Sequence, residues 1–217
     1  EQLADTFGCP VIEAYGMTEA AHQMTSNPLP PLAQKPGFVG LPAGPEVCIM
    51  DIDGNQMAQG TEGEVCIKGS NVTPGYDQNP EANAQSFTNG WFRTGDQGML
   101  DADGYLKITG RLKEIINRGG EKISPLEVDN VLMEHDYIQQ VVSFAVADKM
   151  YGEEIGVAVV LGEGQTLSEA NLRAYANEHL AKFKVPKYIC FLDEIPKGAT
   201  GKLQRIGLAK KLGLEAS

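Results

Sequence analysis

The chain has 217 residues, 42% hydrophobic, 22% charged and 7% aromatic, which suits an ordinary globular protein with room for one large domain or two small ones. Its formal net charge of -11 excludes general binding to nucleic acid or to anionic membranes, both of which require a positive surface. No window approaches the ~18 consecutive apolar residues of a membrane span, and Cys9, Cys48, Cys66 and Cys190, with His22, His135 and His179, fall into no zinc or disulfide pattern.

The beginning of the chain has neither the basic end nor the apolar core of a signal peptide, and without an initiator Met it reads as part of something longer. The cysteines are therefore expected to be reduced and mostly buried. A strand is predicted over 11–15, followed by a loop that ends in Pro28-Leu29-Pro30-Pro31. A lone strand cannot bury its own apolar face, so its partners are expected outside this sequence. From 36 to 109 the pattern is of short strands between Gly, Pro and Asp-Gly turns. Strands over 46–52 and 64–68 flank Asp53-Gly54, and strands over 91–100 and 105–109 flank Asp103-Gly104. Such spacing suggests a small antiparallel barrel or sheet. Asp51-Ile52-Asp53-Gly54 lacks the ligand alternation and final Glu of a calcium loop, and reads as a hairpin turn.

After Arg111 the rhythm becomes α+β, which places a domain boundary at Gly110-Arg111 and divides the chain into 1–110 and 111–217. Ser124-Pro125-Leu126-Glu127 has the form of a capping box with Pro at the first helical position, and Val128, Val131 and Leu132 share one face of the helix it opens. Runs over 141–147 and 155–161 are β-branched and predict neighbouring strands. A second helix begins near Ser168, with Leu172, Tyr175, Ala176, His179, Leu180 and Phe183 recurring at helical spacing. On that stripe His179 reads as a core-edge histidine rather than a ligand. Lys182, Lys184, Lys187, Lys197, Lys202, Arg205, Lys210 and Lys211 crowd the last stretch, either as a solvated face or as a site for a small polyanion.

Three polar segments could carry chemistry. Tyr15-Gly16-Met17-Thr18-Glu19 puts an aromatic ring, a hydroxyl and a carboxylate at a strand end, where a Thr can meet a phosphate and a Glu can hold Mg²⁺. On this segment alone a capped loop-to-helix junction is the stronger reading. Trp91-Phe92-Arg93-Thr94-Gly95-Asp96 ends a predicted strand with a carboxylate able to accept both hydroxyls of a ribose, or simply to terminate the strand. Gly198-Ala199-Thr200-Gly201-Lys202 is a glycine loop without Walker A spacing, but its lysine can still act as a mobile point charge.

Taken in order, these segments, together with Gly63-Glu-Val-Cys-Ile-Lys-Gly69, Gly104-Tyr-Leu-Lys-Ile-Thr-Gly-Arg111, Lys113-Glu-Ile-Ile-Asn-Arg-Gly-Gly120 and Pro196-Lys-Gly-Ala-Thr-Gly-Lys202, resemble the adenylate-forming superfamily of acyl-CoA synthetases, adenylation domains and luciferases. The resemblance covers essentially the whole chain. It implies the end of a large AMP-binding domain with a small antiparallel β-barrel subdomain, then a small α+β lid domain. It also implies that Tyr15 packs on adenine, Thr18 reaches the phosphates, Glu19 holds Mg²⁺, and Asp96 and Arg111 hold the ribose. Lys202 would bridge the carboxylate and the α-phosphate as the adenylate forms, a place where one aimed cation is worth ~3–4 kcal/mol.

In the resembling family the lid then turns about a hinge, here Lys113, and brings Gly119 and Gly120 to the pantetheine arm of coenzyme A. Phe183 would stack on the CoA adenine with Lys184 and Lys187 near its phosphates; alternatively Phe183 finishes the core stripe. The stretches 15–30 and 117–125 most resemble oxalate–CoA ligases, in which His22 would line the acyl pocket; alternatively it caps a loop. The implied ligands are ATP, Mg²⁺, CoA and a small carboxylic acid. Medium-chain or aromatic acids, a carrier-protein-loading module and a stand-alone nucleotide-binding module are the alternatives. The phosphate loop and most of the acyl pocket would belong to an N-terminal part of the same enzyme, so the 217 residues alone are expected to be catalytically silent. The ending is not Ser-Lys-Leu, which favours a cytoplasmic over a peroxisomal location.

Overall fold

A computed structural model describes residues 2–198, 201 and 203–214. The chain divides into two compact units between Leu112 and Lys113, the first with two sheets and the second with one.

The first unit opens with α1 (Gln2–Phe7) and an antiparallel hairpin of β1 (Ala14–Met17) and β2 (His22–Ser26), to which β3 (Leu41–Pro42) adds. The predicted lone strand thus finds its partners within the chain, and it starts later than 11. Val11 and Ile12 are exposed, while Met24 and Thr25 of β2 are fully buried. Because those two buried residues are adjacent, β2 lacks the alternation that marks a half-buried strand. The register slips between Tyr15 and Gly16, and a Cβ on Gly16 would lie 1.8 Å from the carbonyl oxygen of His22. Only glycine fits there.

A second sheet holds β4 (Glu46–Met50), β5 (Gly63–Lys68), β6 (Phe87–Thr88), β7 (Trp91–Leu100) and β8 (Leu106–Arg111), in the order β4-β5-β7-β6 with β8 also paired to β7. All pairings are antiparallel. Long β7 has β5 on one edge; its other edge serves β6 in its first half and β8 in its second. That arrangement curls the sheet into an open half-barrel rather than the expected barrel. The outer side of β8 pairs with Val39 and Gly40 through Val39 N to Leu106 O and Leu106 N to Gly40 O, both 2.8 Å, and not with β4. The edges that closure would join are therefore occupied or apart. Ile49, Val65 and Leu106 form one core cluster, and Ala20, Met24, Ile67 and Phe92 another. Cys48 and Cys66 are directly opposite each other on β4 and β5, buried and unbonded, while Cys9 is exposed. The Asp51 side chain accepts from the backbone and side-chain nitrogens of Asn55 at 2.8 and 3.0 Å, which fixes the turn after β4. Short α2 (Pro80–Ser86) is capped by Asn79, whose side chain accepts from Ala82 N.

The second unit begins with the tight hairpin of β9 (Ile116–Arg118) and β10 (Glu121–Ile123), turning through Gly119 and Gly120 at φ 60° and 96°. Two successive positive φ values are what a two-residue hairpin turn demands. Then come α3 (Pro125–Met133), β11 (Ile138–Asp148), β12 (Gly152–Leu161), α4 (Glu169–His179), β13 (Tyr188–Phe191) and α5 (Leu208–Lys211). The sheet order is β10-β9-β12-β11, with β13 parallel on β12. Val141, Ile155, Val157 and Val159 face α3 and α4 in one core; Val142, Phe144, Val146, Ala158 and Val160 pack with Ile195 and Leu208 in the other. Covered on both faces, β11 and β12 read as continuous apolar runs. Gly156 leaves room for the Phe144 ring, which a Cβ would approach to 2.7 Å.

Candidate functional site

Asp96 sits in the middle of β7, not at its end, and is 7% exposed. Antiparallel register places Arg111 of β8 directly opposite, and its Nε donates to Asp96 Oδ1 at 2.8 Å. From the other sheet, the Tyr15 hydroxyl donates to Asp96 Oδ2. Burial and this carboxylate both raise the Tyr15 pKa above its ordinary value, so the phenol stays a donor. An ionised carboxylate has about four lone-pair sites, so the pair of bonds leaves Asp96 able to accept more. The Arg111 side chain is 59% exposed and faces solvent beside it.

Beneath this triad lies a support that the sequence did not announce. Glu64, buried on β5, takes Arg93 Nε at 2.7 Å and Nη2 at 2.5 Å, and its other oxygen accepts the Gly95 N–H at 2.9 Å. Thr94 Oγ1 donates to Val65 O at 2.8 Å and accepts Asp96 N at 3.1 Å. Gly95, at φ 76°, makes the kink possible. Charge-assisted bonds from a buried carboxylate thus hold the backbone on which Asp96 stands. Glu64 and Arg93 lie within quoted motifs; the bulge that shifts β5 against β7 hid their pairing.

Thr18 and Glu19 form a 3₁₀ turn after β1, with Thr18 exposed. Glu19 Oε1 accepts the Tyr76 hydroxyl at 2.9 Å, and Glu19 O accepts Thr73 N at 2.7 Å. His22 is exposed at φ 85°, next to Ala21 at φ 49°. A non-glycine pair in that region stores strain, and such strain collects at functional sites. Among the described residues no group of three or more His, Cys, Asp or Glu is placed to hold a metal.

In the second unit, Lys113 lies in an exposed 3₁₀ turn, Leu112–Glu114. At the Gly119-Gly120 turn, Gly119 N donates to Tyr151 O at 2.8 Å, and a Cβ on Gly119 would come within 3.1 Å of the Tyr151 ring. A Cβ on Gly120 would meet nothing within 4 Å, so backbone is presented to solvent there. Arg118 lies over the Tyr151 ring at 4.1 Å and grips Glu154 at 2.8 and 3.0 Å. Phe183 packs, half-buried, against the core cluster under α3 and α4. Lys184 reaches both Glu127 oxygens at 2.6 Å, and Lys187 reaches Asp148 at 2.6 Å. Lys197 likewise meets Glu194, and Arg205 meets Glu114 and Asp129. The basic tail is therefore largely answered by carboxylates, several from distant segments. His179 is exposed and stacks on Tyr175 at 4.2 Å. Lys202 lies outside the described residues; on either side of its loop, Lys197 and Leu203 form an antiparallel bridge.

Comparison with known proteins gives a consistent picture. A model for the AMP-binding enzyme family matches residues 1–77, and a model for the AMP-binding enzyme C-terminal domain matches residues 127–202. An oxalate–CoA ligase of Arabidopsis thaliana is 54% identical over 205 residues, covering 94% of this chain and 40% of that protein. One from Saccharomyces cerevisiae is 50% identical over 211 residues, covering 96% and 39%. The ATP-bound crystal structure of MatB from Rhodopseudomonas palustris superposes with a TM-score of 0.87 at 33% identity, covering 94% of this chain and 41% of that one. The chain spans about two fifths of the length of these relatives. Among the described residues no helix is long and apolar enough to cross a membrane.

Proposed function

This chain belongs to the AMP-binding enzymes of the adenylate-forming superfamily, and on that footing we propose that the whole protein is an ATP-dependent acid–CoA ligase acting on oxalate or another small carboxylate. In the first half-reaction a carboxylate oxygen attacks the α-phosphorus of ATP, the bond to pyrophosphate breaks, and an acyl-adenylate forms. In the second, the CoA sulfur attacks the acyl carbonyl carbon, its thiol proton is lost, and AMP leaves. The observation that carries this reading is the Tyr15–Asp96–Arg111 cluster, a buried carboxylate with spare lone pairs beside an exposed guanidinium.

In this reading Asp96 accepts the ribose hydroxyls, Arg111 donates to the ribose, and the Tyr15 ring packs on adenine. Thr18 meets the phosphates. Glu19, one oxygen fixed by Tyr76, fits Mg²⁺ as a single hard ligand, since that ion is usually shared with phosphates and waters rather than caged by protein. When bound, Mg²⁺ supplies charge neutralisation at the phosphates. Lys202 places its charge at the α-phosphate. The second unit then turns about Lys113 and brings the open backbone at Gly119 and Gly120 to the pantetheine arm. Lys184 and Lys187 must exchange Glu127 and Asp148 for CoA phosphates, and Phe183 must leave part of its packing to stack on the CoA adenine. His22, exposed at φ 85°, would donate to a small dianion in this reading.

The test uses the whole enzyme. Oxalate-dependent exchange of pyrophosphate into ATP should fall about 10²–10³-fold in Lys202→Ala, the cost of removing one aimed donor. Full exchange in that variant refutes the reading. Trapping the acyl-adenylate with a panel of acids assigns the substrate, and dominance of a medium-chain or aromatic acid replaces oxalate. His22→Ala should raise KM for oxalate far more than KM for ATP; equal changes remove His22 from the acyl pocket.

A further inference from the structure

Arg205 joins four segments of the second unit that are distant in sequence. Its Nε donates to Glu114 Oε2 at 3.0 Å, and its Nη1 reaches Asp129 Oδ2 at 2.6 Å and Ser143 O at 3.0 Å. Asp129 in turn accepts the Ser143 N–H at 2.6 Å on its other oxygen. Arg205 is 19% exposed at its side chain, Asp129 10% and Glu114 24%. One guanidinium therefore ties the turn that contains Lys113, helix α3 and strand β11 to the segment that carries it. That segment follows Leu203, which forms an antiparallel bridge with Lys197 on the near side of Lys202. Lys113, Glu114, Arg205 and Ile206 share the wall of a cavity of about 180 Å³.

We infer that Arg205 is a positioning residue for the first half-reaction, locking the base of the Lys202 loop to the hinge-side turn at Glu114 so that lysine and hinge move as one body. The inference rests on the roles proposed above for Lys202 and Lys113. An error of about 1 Å at a reacting centre can cost on the order of 100-fold in rate, so the segment that carries the cation has to be anchored. A bridge alone fixes the loop ends to each other. Arg205 fixes them to the sheet and to the pivot. The choice of arginine matters, because its planar fork serves partners in two directions at once while an ammonium is a single point charge. Glu114 and Asp129 bring two negative charges to one positive, so the cluster is more than charge neutralisation requires and is arranged as a strut.

In the whole enzyme, Arg205→Lys keeps the charge and loses the fork, and Glu114→Gln keeps an acceptor and loses the charge. Pyrophosphate exchange should fall about tenfold in Arg205→Lys and a few-fold in Glu114→Gln, as a loss of kcat with KM for ATP little changed. Thioester formation from pre-made acyl-adenylate and CoA should stay within about twofold, since that step does not use the lysine. Equal loss of both half-reactions would mean a merely structural role and overturn the inference; so would full exchange activity in both folded variants. If Arg205→Lys fails to fold, Glu114→Gln decides alone by the same split. Lys202→Ala is the control: full exchange activity in Lys202→Ala refutes the functional reading itself, whereas an inactive Lys202→Ala beside fully active Arg205→Lys and Glu114→Gln refutes this inference only.

Discussion

Each unit builds a buried aspartate against an arginine, and the two pairs are finished differently. Asp96 faces Arg111, whose side chain is 59% exposed, and the pair opens toward solvent. Asp129 faces Arg205, 19% exposed, and both of its oxygens are committed to Arg205 and Ser143. Burial raises the Asp129 pKa, and Arg205 together with the hydrogen bonds from Ser143 opposes the rise. The same two residue types thus give an open pair in one place and a closed strut in the other. Exposure of the guanidinium makes the difference. Glu64–Arg93 and Glu154–Arg118 follow the strut pattern, and the first of them holds the backbone beside Asp96.

The contrast can be broken by exchanging which property each aspartate loses. Asp129→Ala strands Arg205 and the Ser143 N–H in the interior and should cost about 3–4 kcal/mol, measured by urea unfolding of the whole protein. Asp96→Asn keeps the shape and should cost less than about 1 kcal/mol of stability, yet lower kcat/KM for ATP by about 100-fold. Equal stability losses in the two variants would erase the distinction. Glycines beside the two regions sharpen it. Gly95 at φ 76° and Gly120 at φ 96° both have open space where a Cβ would go. Alanine at either should cost about 1–2 kcal/mol through backbone strain alone. Gly95→Ala is expected to impair ATP use, and Gly120→Ala thioester formation.

The smallest effect concerns Asp148, whose pKa is held at about 2 by Lys187 and by the Tyr151 and Met150 N–H groups, below its ordinary 3.8. A depressed carboxyl pKa contributes stability above the unfolded value that is lost as pH falls through the folded one, here between 3.8 and about 2. Lys187→Met should move the Asp148 titration, followed by NMR, up toward 3.8; an unmoved titration would mean the backbone donors suffice.

How much of this was legible in the sequence depends on where the physical signal lies. The strand predicted over 91–100 is β7 residue for residue, because Gly90 and the Asp103-Gly104 turn bracket it. β11 and β12 were visible through their doubly buried apolar runs, but polar Gln139, Gln140, Glu153 and Glu154 concealed their ends. β2 escaped because Met24 and Thr25 are buried side by side, and α2 despite the Asn79-Pro80 start signal, being short and polar. At the site, Asp96, Arg111 and Tyr15 were named from motifs, yet their convergence depends on register between strands and on a second sheet. The Glu64–Arg93 support depends on a bulge. Pairing across bulges is a long-range property, set by packing of both faces, that no local pattern encodes.

The facing thiols of Cys48 and Cys66 bear on chemical compatibility. Burial pushes the first up to about 11 and the second to about 12, so neither is ionised at neutral pH, and Cys66 is fully buried with Cys48 only 8% exposed. Under the proposed function, an activated acyl group beside a thiol cofactor would be open to loss by transfer to a protein sulfur. Here two sulfurs are sealed within the sheet as small apolar side chains, and alkylating reagents should spare them until the first unit unfolds.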